Sequence, residues 1–175
     1  MKHVLTLALL LFAAGTAAAQ DTAIDWEGAR ADAAGAQANA IAWPVNRPRE
    51  VLDEVALPVL LPALPEPVLS RPDGPAGVLF FTRPAQYTAS FVLGPATLEL
   101  TGMASARRAH SAAAGVPDIT RTEAGQDANF SRYGAGYTLS ISCADPDADP
   151  RCTDPDFARH VVDHLAVAGG SGLRP

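Results

Sequence analysis

Two neighbouring stretches of the chain alternate between apolar and polar residues, which is the pattern of β-strands with one buried face. In residues 86–93 every second residue from Tyr87 onward is apolar, and residues 96–103 repeat the alternation after the turn Gly94-Pro95. We predict that these two stretches form an antiparallel hairpin with one buried and one solvent-facing side. An apolar run at 78–82 predicts a further strand beside them.

A second pair of strands is predicted nearer the C-terminus. Residues 129–133 and 137–143 flank the turn Gly134-Ala135-Gly136, and the alternation in 137–143 places Cys143 on the buried side. A short apolar run at 59–61 stands between prolines, which cannot donate to a strand ladder, so it predicts one short strand.

The last predicted element is an amphipathic helix at 155–165. Asp154 is a suitable N-cap, and Pro155 occupies the first helical position, where a missing N–H costs nothing. The apolar side chains that recur every four residues and should face the sheet are Phe157, Val161 and Leu165.

Together these elements predict an α+β fold. We expect an antiparallel sheet of four to six strands within residues 59–143, with the C-terminal helix packed on one face and one disulfide. Residues 104–126 lack any period and are predicted to form a surface loop.

Residues 1–19 carry the pattern of a cleaved secretory signal. Lys2 precedes an apolar run at 4–14, and small residues follow up to Ala19, so we expect cleavage before Gln20. Prolines interrupt the later apolar runs, which predicts no membrane span in the mature chain. The sequence therefore predicts a periplasmic or secreted protein.

The mature chain is predicted to have three parts. Residues 20–49 are rich in alanine and proline and should be a leader that is helical or mobile, with a helix at 27–43 capped by Asp25. Residues 50–170 form a single α+β domain, and residues 171–175 are a polar tail.

The charge balance is acidic. The chain has 13 Lys and Arg against 19 Asp and Glu, and its formal charge moves from −6 to −7 when Lys2 leaves with the signal. Because an acidic surface repels phosphates, we expect no nucleic-acid partner. The oligomeric state stays open.

Cys143 and Cys152 are the two cysteines of the chain. In an oxidising compartment they are expected to pair, and closing a loop of this size stabilises a fold by about 2–3 kcal/mol. A redox pair is the alternative, but the spacing is far from the CxxC arrangement that activates a thiol.

His160 and His164 lie four residues apart on the predicted helix, so both rings can face one way and share a metal ion. The segment HVVDH shares only this spacing with the HExxH pattern of zinc proteases, because Val161 stands where that pattern has glutamate. The alternative is a pair of solvent-facing histidines near a helix C-terminus, where positive charge is mildly favoured.

The acidic stretch between the cysteines offers a second metal hypothesis. Asp145, Asp147 and Asp149 alternate like the first three ligands of a calcium loop, and Asp156 stands at the twelfth position. Pro150, however, occupies the sixth position, where such a loop needs glycine. An exposed turn ahead of a capped helix is the alternative.

The segment 104–126 contains the basic residues Arg107, Arg108 and His110. Such a cluster could bind an anion, whereas charged residues in a loop are more commonly only solvated.

No nucleophile motif accompanies these candidates, because no serine stands in GxSxG and no glycine-rich loop follows a strand and opens a helix. We expect no cofactor. The first functional hypothesis is a non-catalytic binding module for an envelope protein or a small ligand. The second is a metal-dependent enzyme or metal-binding protein that uses His160 and His164 with a carboxylate of the acidic stretch.

Overall fold

The computed structural model of the chain describes residues 23–35, 41, 43–63, 70–71, 74–75, 78–104 and 115–174. The predicted signal lies outside these residues. Within them, no helix is both long enough and apolar enough to cross a membrane.

The described part of the chain contains short helices and a larger number of strands. In chain order they are α1 (Trp26–Gly35), a 3₁₀ helix (Arg49–Glu54), β1 (Val59–Pro62), β2 (Ser70–Arg71), β3 (Gly74–Pro75), β4 (Val78–Arg83), β5 (Gln86–Leu93), β6 (Ala96–Met103), β7 (Asp118–Arg121), β8 (Gly125–Arg132), β9 (Ala135–Cys143), α2 (Pro150–Thr153), α3 (Pro155–Asp163), β10 (Leu165–Gly169) and a second 3₁₀ helix (Ser171–Leu173).

Six strands form one antiparallel sheet in the order β4-β5-β6-β9-β8-β7. The two strands with the clearest alternation, β5 and β6, have the bounds that the sequence predicts. The sheet, the helices and the disulfide confirm the predicted α+β class.

The predicted loop at 104–126 is wrong in its second half, where β7 adds a strand to the sheet and β8 begins at Gly125, four residues earlier than predicted. β7 is an edge strand of four residues with the sequence DITR, and it pairs with β8 from Asp118↔Asn129 to Arg121↔Gln126. An edge strand buries little side-chain surface, so its sequence need not alternate, and the prediction missed it.

The turn between β8 and β9 is also tighter than predicted. Arg132 pairs with Ala135, which leaves Tyr133 and Gly134 as the two turn residues, with φ of 53° and 78°. Positive φ at both positions is the geometry of the two-residue hairpin turn that fits the twist of the strands. Gly134 also lies against the backbone that precedes α1, since a Cβ there would come 2.5 Å from the carbonyl oxygen of Ala23.

The C-terminal helix is shorter than predicted. α3 ends at Asp163, and Leu165 begins strand β10, which pairs antiparallel with β1 to form a separate two-stranded sheet. The sequence LAVAG alternates between buried and half-buried residues, so Leu165 fits both the helical and the strand period. The strand predicted at 59–61 is confirmed, but it belongs to this small sheet and not to the large one.

The core lies between the large sheet and the layer formed by β1, β10 and α3. The largest fully buried side chains include Tyr87, Phe80, Phe91, Leu60, Leu98, Leu100, Leu139 and Ile141. Two tyrosines of the large sheet hold β1 in place: the Tyr87 hydroxyl hydrogen-bonds both the N–H and the C=O of Leu60 (2.9 and 3.1 Å), and the Tyr137 hydroxyl donates to the Pro58 carbonyl (2.8 Å).

Helix α1 contacts the C-terminal part of the fold. Asp25 caps it by accepting from the Gly28 N–H at 2.9 Å, and the Arg30 guanidinium donates to the Gly172 carbonyl at 2.7 Å. The helix predicted at 27–43 is too long, because α1 ends at Gly35 and Trp43 is not helical. Trp43 instead lies under the Arg49 guanidinium, 4.0 Å from the ring centroid.

Candidate functional site

One side of the six-stranded sheet is packed against the core, and the other side carries exposed or half-buried residues. We call this second side the open face. Its position follows from strand geometry, because successive side chains point to opposite sides of a sheet. On β4 to β6 the open face comprises Leu79, Phe81, Arg83, Gln86, Thr88, Ser90, Val92, Thr97, Glu99, Thr101 and Met103, and on β7 to β9 it comprises Asp118, Thr120, Asp127, Asn129, Ser131, Thr138, Ser140 and Ser142.

Three large apolar residues cluster at one side of the open face, and we call Leu79, Phe81 and Val92 the apolar corner. Their exposed fractions are 42%, 54% and 38%. Leu79 pairs with Ser90 on the neighbouring strand, which places it diagonal to Val92. Met103 on β6 adds a further apolar side chain, 41% exposed. A cluster of exposed apolar side chains on one surface is characteristic of an interaction site.

Beyond the apolar corner the open face carries hydroxyl groups, and those of Thr88, Thr101 and Thr138 have side-chain partners. Thr88 and Thr101 lie directly opposite each other, with their Oγ1 atoms 3.2 Å apart. The Thr138 hydroxyl donates to Asn129 Oδ1 at 2.8 Å. Because these side chains are ordered before any partner arrives, less rotamer entropy is lost on binding.

Three carboxylates give the open face its negative charge: Glu99, Asp127 and the exposed Asp118 of the edge strand β7, which pairs with Asn129 and so lies on the same side. Glu99 on β6 and Asp127 on β8 both pair with Ser140 on the strand between them, so they share one cross-strand row. Neither forms an ion pair with another described residue. Both are therefore available to accept hydrogen bonds from a partner.

The predicted disulfide between Cys143 and Cys152 is present, with a Cα–Cα distance of 6.3 Å. It joins the end of β9 to the short helix α2. Cys152 is fully buried, whereas Cys143 is partly exposed. This arrangement fits a structural bond that fastens the acidic stretch to the sheet.

Two side chains from β7 and β8, Arg121 and Gln126, also hold the acidic stretch. Arg121 donates to the Cys152 and Pro146 carbonyls and forms an ion pair with Asp147 at 2.8 Å. In the described part of the chain, Gln126 is the one polar residue that is buried. Its side-chain amide donates to the Arg151 carbonyl at 2.7 Å. Sequence reasoning missed both side chains, because each acts on residues more than 20 positions further along the chain.

Each of the three carboxylates proposed as calcium ligands accepts a hydrogen bond from a different group of the protein. Asp145 accepts from the Ala148 N–H at 3.2 Å, and Asp147 is paired with Arg121. Asp149 caps α2 and binds the Arg151 guanidinium, whose hydrogen bonds keep the pKa of the Asp149 carboxyl below its usual range. These contacts are those of a capped turn ahead of a helix.

The two candidate histidines lie close together at the end of α3. Their ring centroids are 4.2 Å apart, and both residues are exposed. The His164 Nδ1 atom lies 2.8 Å from the His160 carbonyl oxygen. In the described part of the chain, however, no group of three His, Cys, Asp or Glu residues is placed to hold a metal ion.

The basic residues Arg107, Arg108 and His110 lie outside the described residues. Anion binding there stays a prediction from the sequence.

Comparison with known proteins adds no further constraint. No protein-family model matches the chain, and no match is found among curated proteins or among solved structures. The fold alone therefore defines the class of the protein. It is an α+β protein with one internal disulfide, and its large sheet has one packed face and one open face.

The apolar corner is the part of the open face that the alternation did not predict. Residues 78–81 are all apolar, so half of them must leave the core once the run forms a strand. A strand that is apolar throughout, next to strands that alternate between apolar and polar residues, is the signal that could have identified Leu79 and Phe81 as exposed apolar residues.

Proposed function

We propose that the chain is an exported, non-catalytic binding module whose open face recognises another protein of the cell envelope. The observation that carries the proposal is the apolar corner, exposed on a sheet face beside the hydrogen-bonded pair Thr88 and Thr101. The predicted signal supports an extracytoplasmic location. A disulfide is compatible with that location, because such bonds persist in oxidising compartments.

The size of the open face supports a protein partner over a small ligand. Neighbouring strands lie about 4.8 Å apart, and a strand rises about 3.3 Å per residue. Six strands, most of them about eight residues long, therefore give the face a width of roughly 24 Å and a length of roughly 26 Å. Its plan area is thus on the order of 600 Å², and a standard protein interface buries about 800 Å² per partner. Small-molecule sites are instead concave clefts.

The chemistry of the open face defines what the partner should present. Apolar groups should lie opposite Leu79, Phe81 and Val92, where burial of exposed apolar surface drives association. Hydrogen-bond donors or basic side chains should lie opposite Glu99 and Asp127, because these carboxylates need partners once water is removed. The complementary surface is therefore apolar at one side and basic at the other.

Site-specific photo-crosslinking tests this proposal. A photo-reactive phenylalanine analogue placed at Phe81 should form a crosslink to one discrete envelope protein in living cells, and the additional substitution Val92→Ser should reduce its yield several-fold. The matched control places the same analogue at Val116, which is 59% exposed but lies outside the strands of the sheet.

The outcome is decided by the comparison between the two positions. A crosslink at Phe81 that is lost with Val92→Ser and absent at Val116 supports recognition through the open face. Equal crosslinking at both positions, or none at Phe81, contradicts it.

A further inference from the structure

We propose that His160 and His164 form a two-imidazole binding site for a divalent transition-metal ion, with copper(II) preferred over nickel(II) and zinc(II). The site would lie on α3 and its C-terminal cap, and it is independent of the open face. It requires no enzymatic role.

The first support is the proximity of the two rings. Residues four apart on a helix share one side, and the structure places these two ring centroids 4.2 Å apart. Both residues are exposed, so an ion can reach them without unfolding the helix. Two imidazoles at this separation can donate to one ion.

The second support is the hydrogen bond that orients His164. A carbonyl oxygen only accepts, so the His164 Nδ1 atom, 2.8 Å from the His160 carbonyl, must carry the proton. In the neutral ring this leaves the lone pair on Nε2, which is the nitrogen further from the helix backbone. Metal-binding histidines commonly have this arrangement, in which the second ring nitrogen donates to a backbone carbonyl.

The ligand set determines which metals bind and how tightly. Imidazole suits copper, nickel and zinc, and affinity for a given site generally rises from nickel to copper and falls again at zinc. Because the described residues supply no third ligand, water would occupy the remaining positions. The site should therefore be labile and much weaker than a structural zinc site with four protein ligands.

Copper(II) titration of the untagged, oxidised mature protein tests the site. We expect one ion per chain by calorimetry and a nitrogen-coordinated signal by electron paramagnetic resonance. His160→Gln and His164→Gln should each weaken binding by at least about tenfold, since each removes one of two ligands. The same copper should raise the melting temperature of the parent protein and of neither variant.

The matched control is His110→Gln, which removes a histidine elsewhere in the sequence and should leave copper binding unchanged. Melting curves without metal verify that the three variants are folded. Copper affinity that is unchanged in both α3 variants, or that is lost in His110→Gln, overturns the proposal, as does a parent protein that binds no copper. None of these results bears on recognition through the open face.

Discussion

Replacing Tyr87 by phenylalanine should lower the free energy of unfolding by about 2–6 kcal/mol, although the substitution removes a single oxygen atom. The Tyr87 hydroxyl contacts both backbone polar groups of Leu60, and both residues are buried. Without that hydroxyl, one N–H and one C=O are left in the core without a partner, and each such group costs about 1–3 kcal/mol.

This hydroxyl joins the small sheet of β1 and β10 to the six-stranded sheet. Strand β1 pairs with β10 along one edge. The backbone of Leu60 on β1 is hydrogen-bonded to the Tyr87 hydroxyl of the large sheet. Burial raises the pKa of the Tyr87 hydroxyl well above its usual range, so it stays protonated and can donate to the Leu60 carbonyl at any ordinary pH. Gly102 makes room for the ring, since a Cβ there would come 2.4 Å from Tyr87 Cε1.

Tyr137→Phe is the matched control for this prediction. The Tyr137 hydroxyl is bound to one backbone group, the carbonyl of Pro58 just before β1, so its loss should cost less, about 1–2 kcal/mol. Urea denaturation at neutral pH measures both values. If the two variants lose the same stability, or if Tyr87→Phe changes it by less than about 0.5 kcal/mol, the proposed role of Tyr87 is wrong.

Replacing Cys143 by serine should lower the melting temperature by roughly 4–12 °C. Loss of the bond removes about 2–3 kcal/mol of stabilisation by loop closure, and a domain of this size loses about 2–4 °C per kcal/mol. The variant also leaves the fully buried Cys152 without its partner. We expect the acidic stretch to become the first site of proteolysis, because α2 and the cap of α3 are fastened through this bond.

The parent protein treated with reductant is the control for the cysteine variant. It should reproduce both the lower melting temperature and the protease sensitivity once the bond is broken. A Cys143→Ser melting curve that matches the oxidised parent would show that Arg121 and Gln126 hold the acidic stretch without help from the disulfide.

The elements that the sequence predicted correctly are those whose local pattern matches their tertiary environment. Strands β5 and β6 alternate because one side is buried and the other is not, and Asp154 caps α3 as expected, accepting from the Asp156 N–H at 2.9 Å. Leu165 was assigned to the wrong element because helical and strand periods coincide at that position. Only pairing with β1, about 100 residues earlier, selects the strand.

The candidate site was less predictable than the fold. The solvent-facing side of the β5–β6 hairpin was predicted. The apolar corner also needs β4, which carries Leu79 and Phe81 and pairs with β5 at the edge of the sheet. The disulfide followed from cysteine number and predicted compartment. Its supporting hydrogen bonds from Arg121 and Gln126 depend on tertiary contacts that no local pattern encodes.

The most direct test of the central claim is hydroxyl-radical footprinting of the open face in intact envelopes and in the isolated protein, with a metal chelator present. Phe81 and Met103 are exposed and react readily when free, and His164 on the cap of α3 serves as the reference. We expect Phe81 and Met103 to be labelled several-fold less in envelopes than in isolation, with His164 unchanged. Equal labelling of Phe81 in both samples would contradict a partner on the open face.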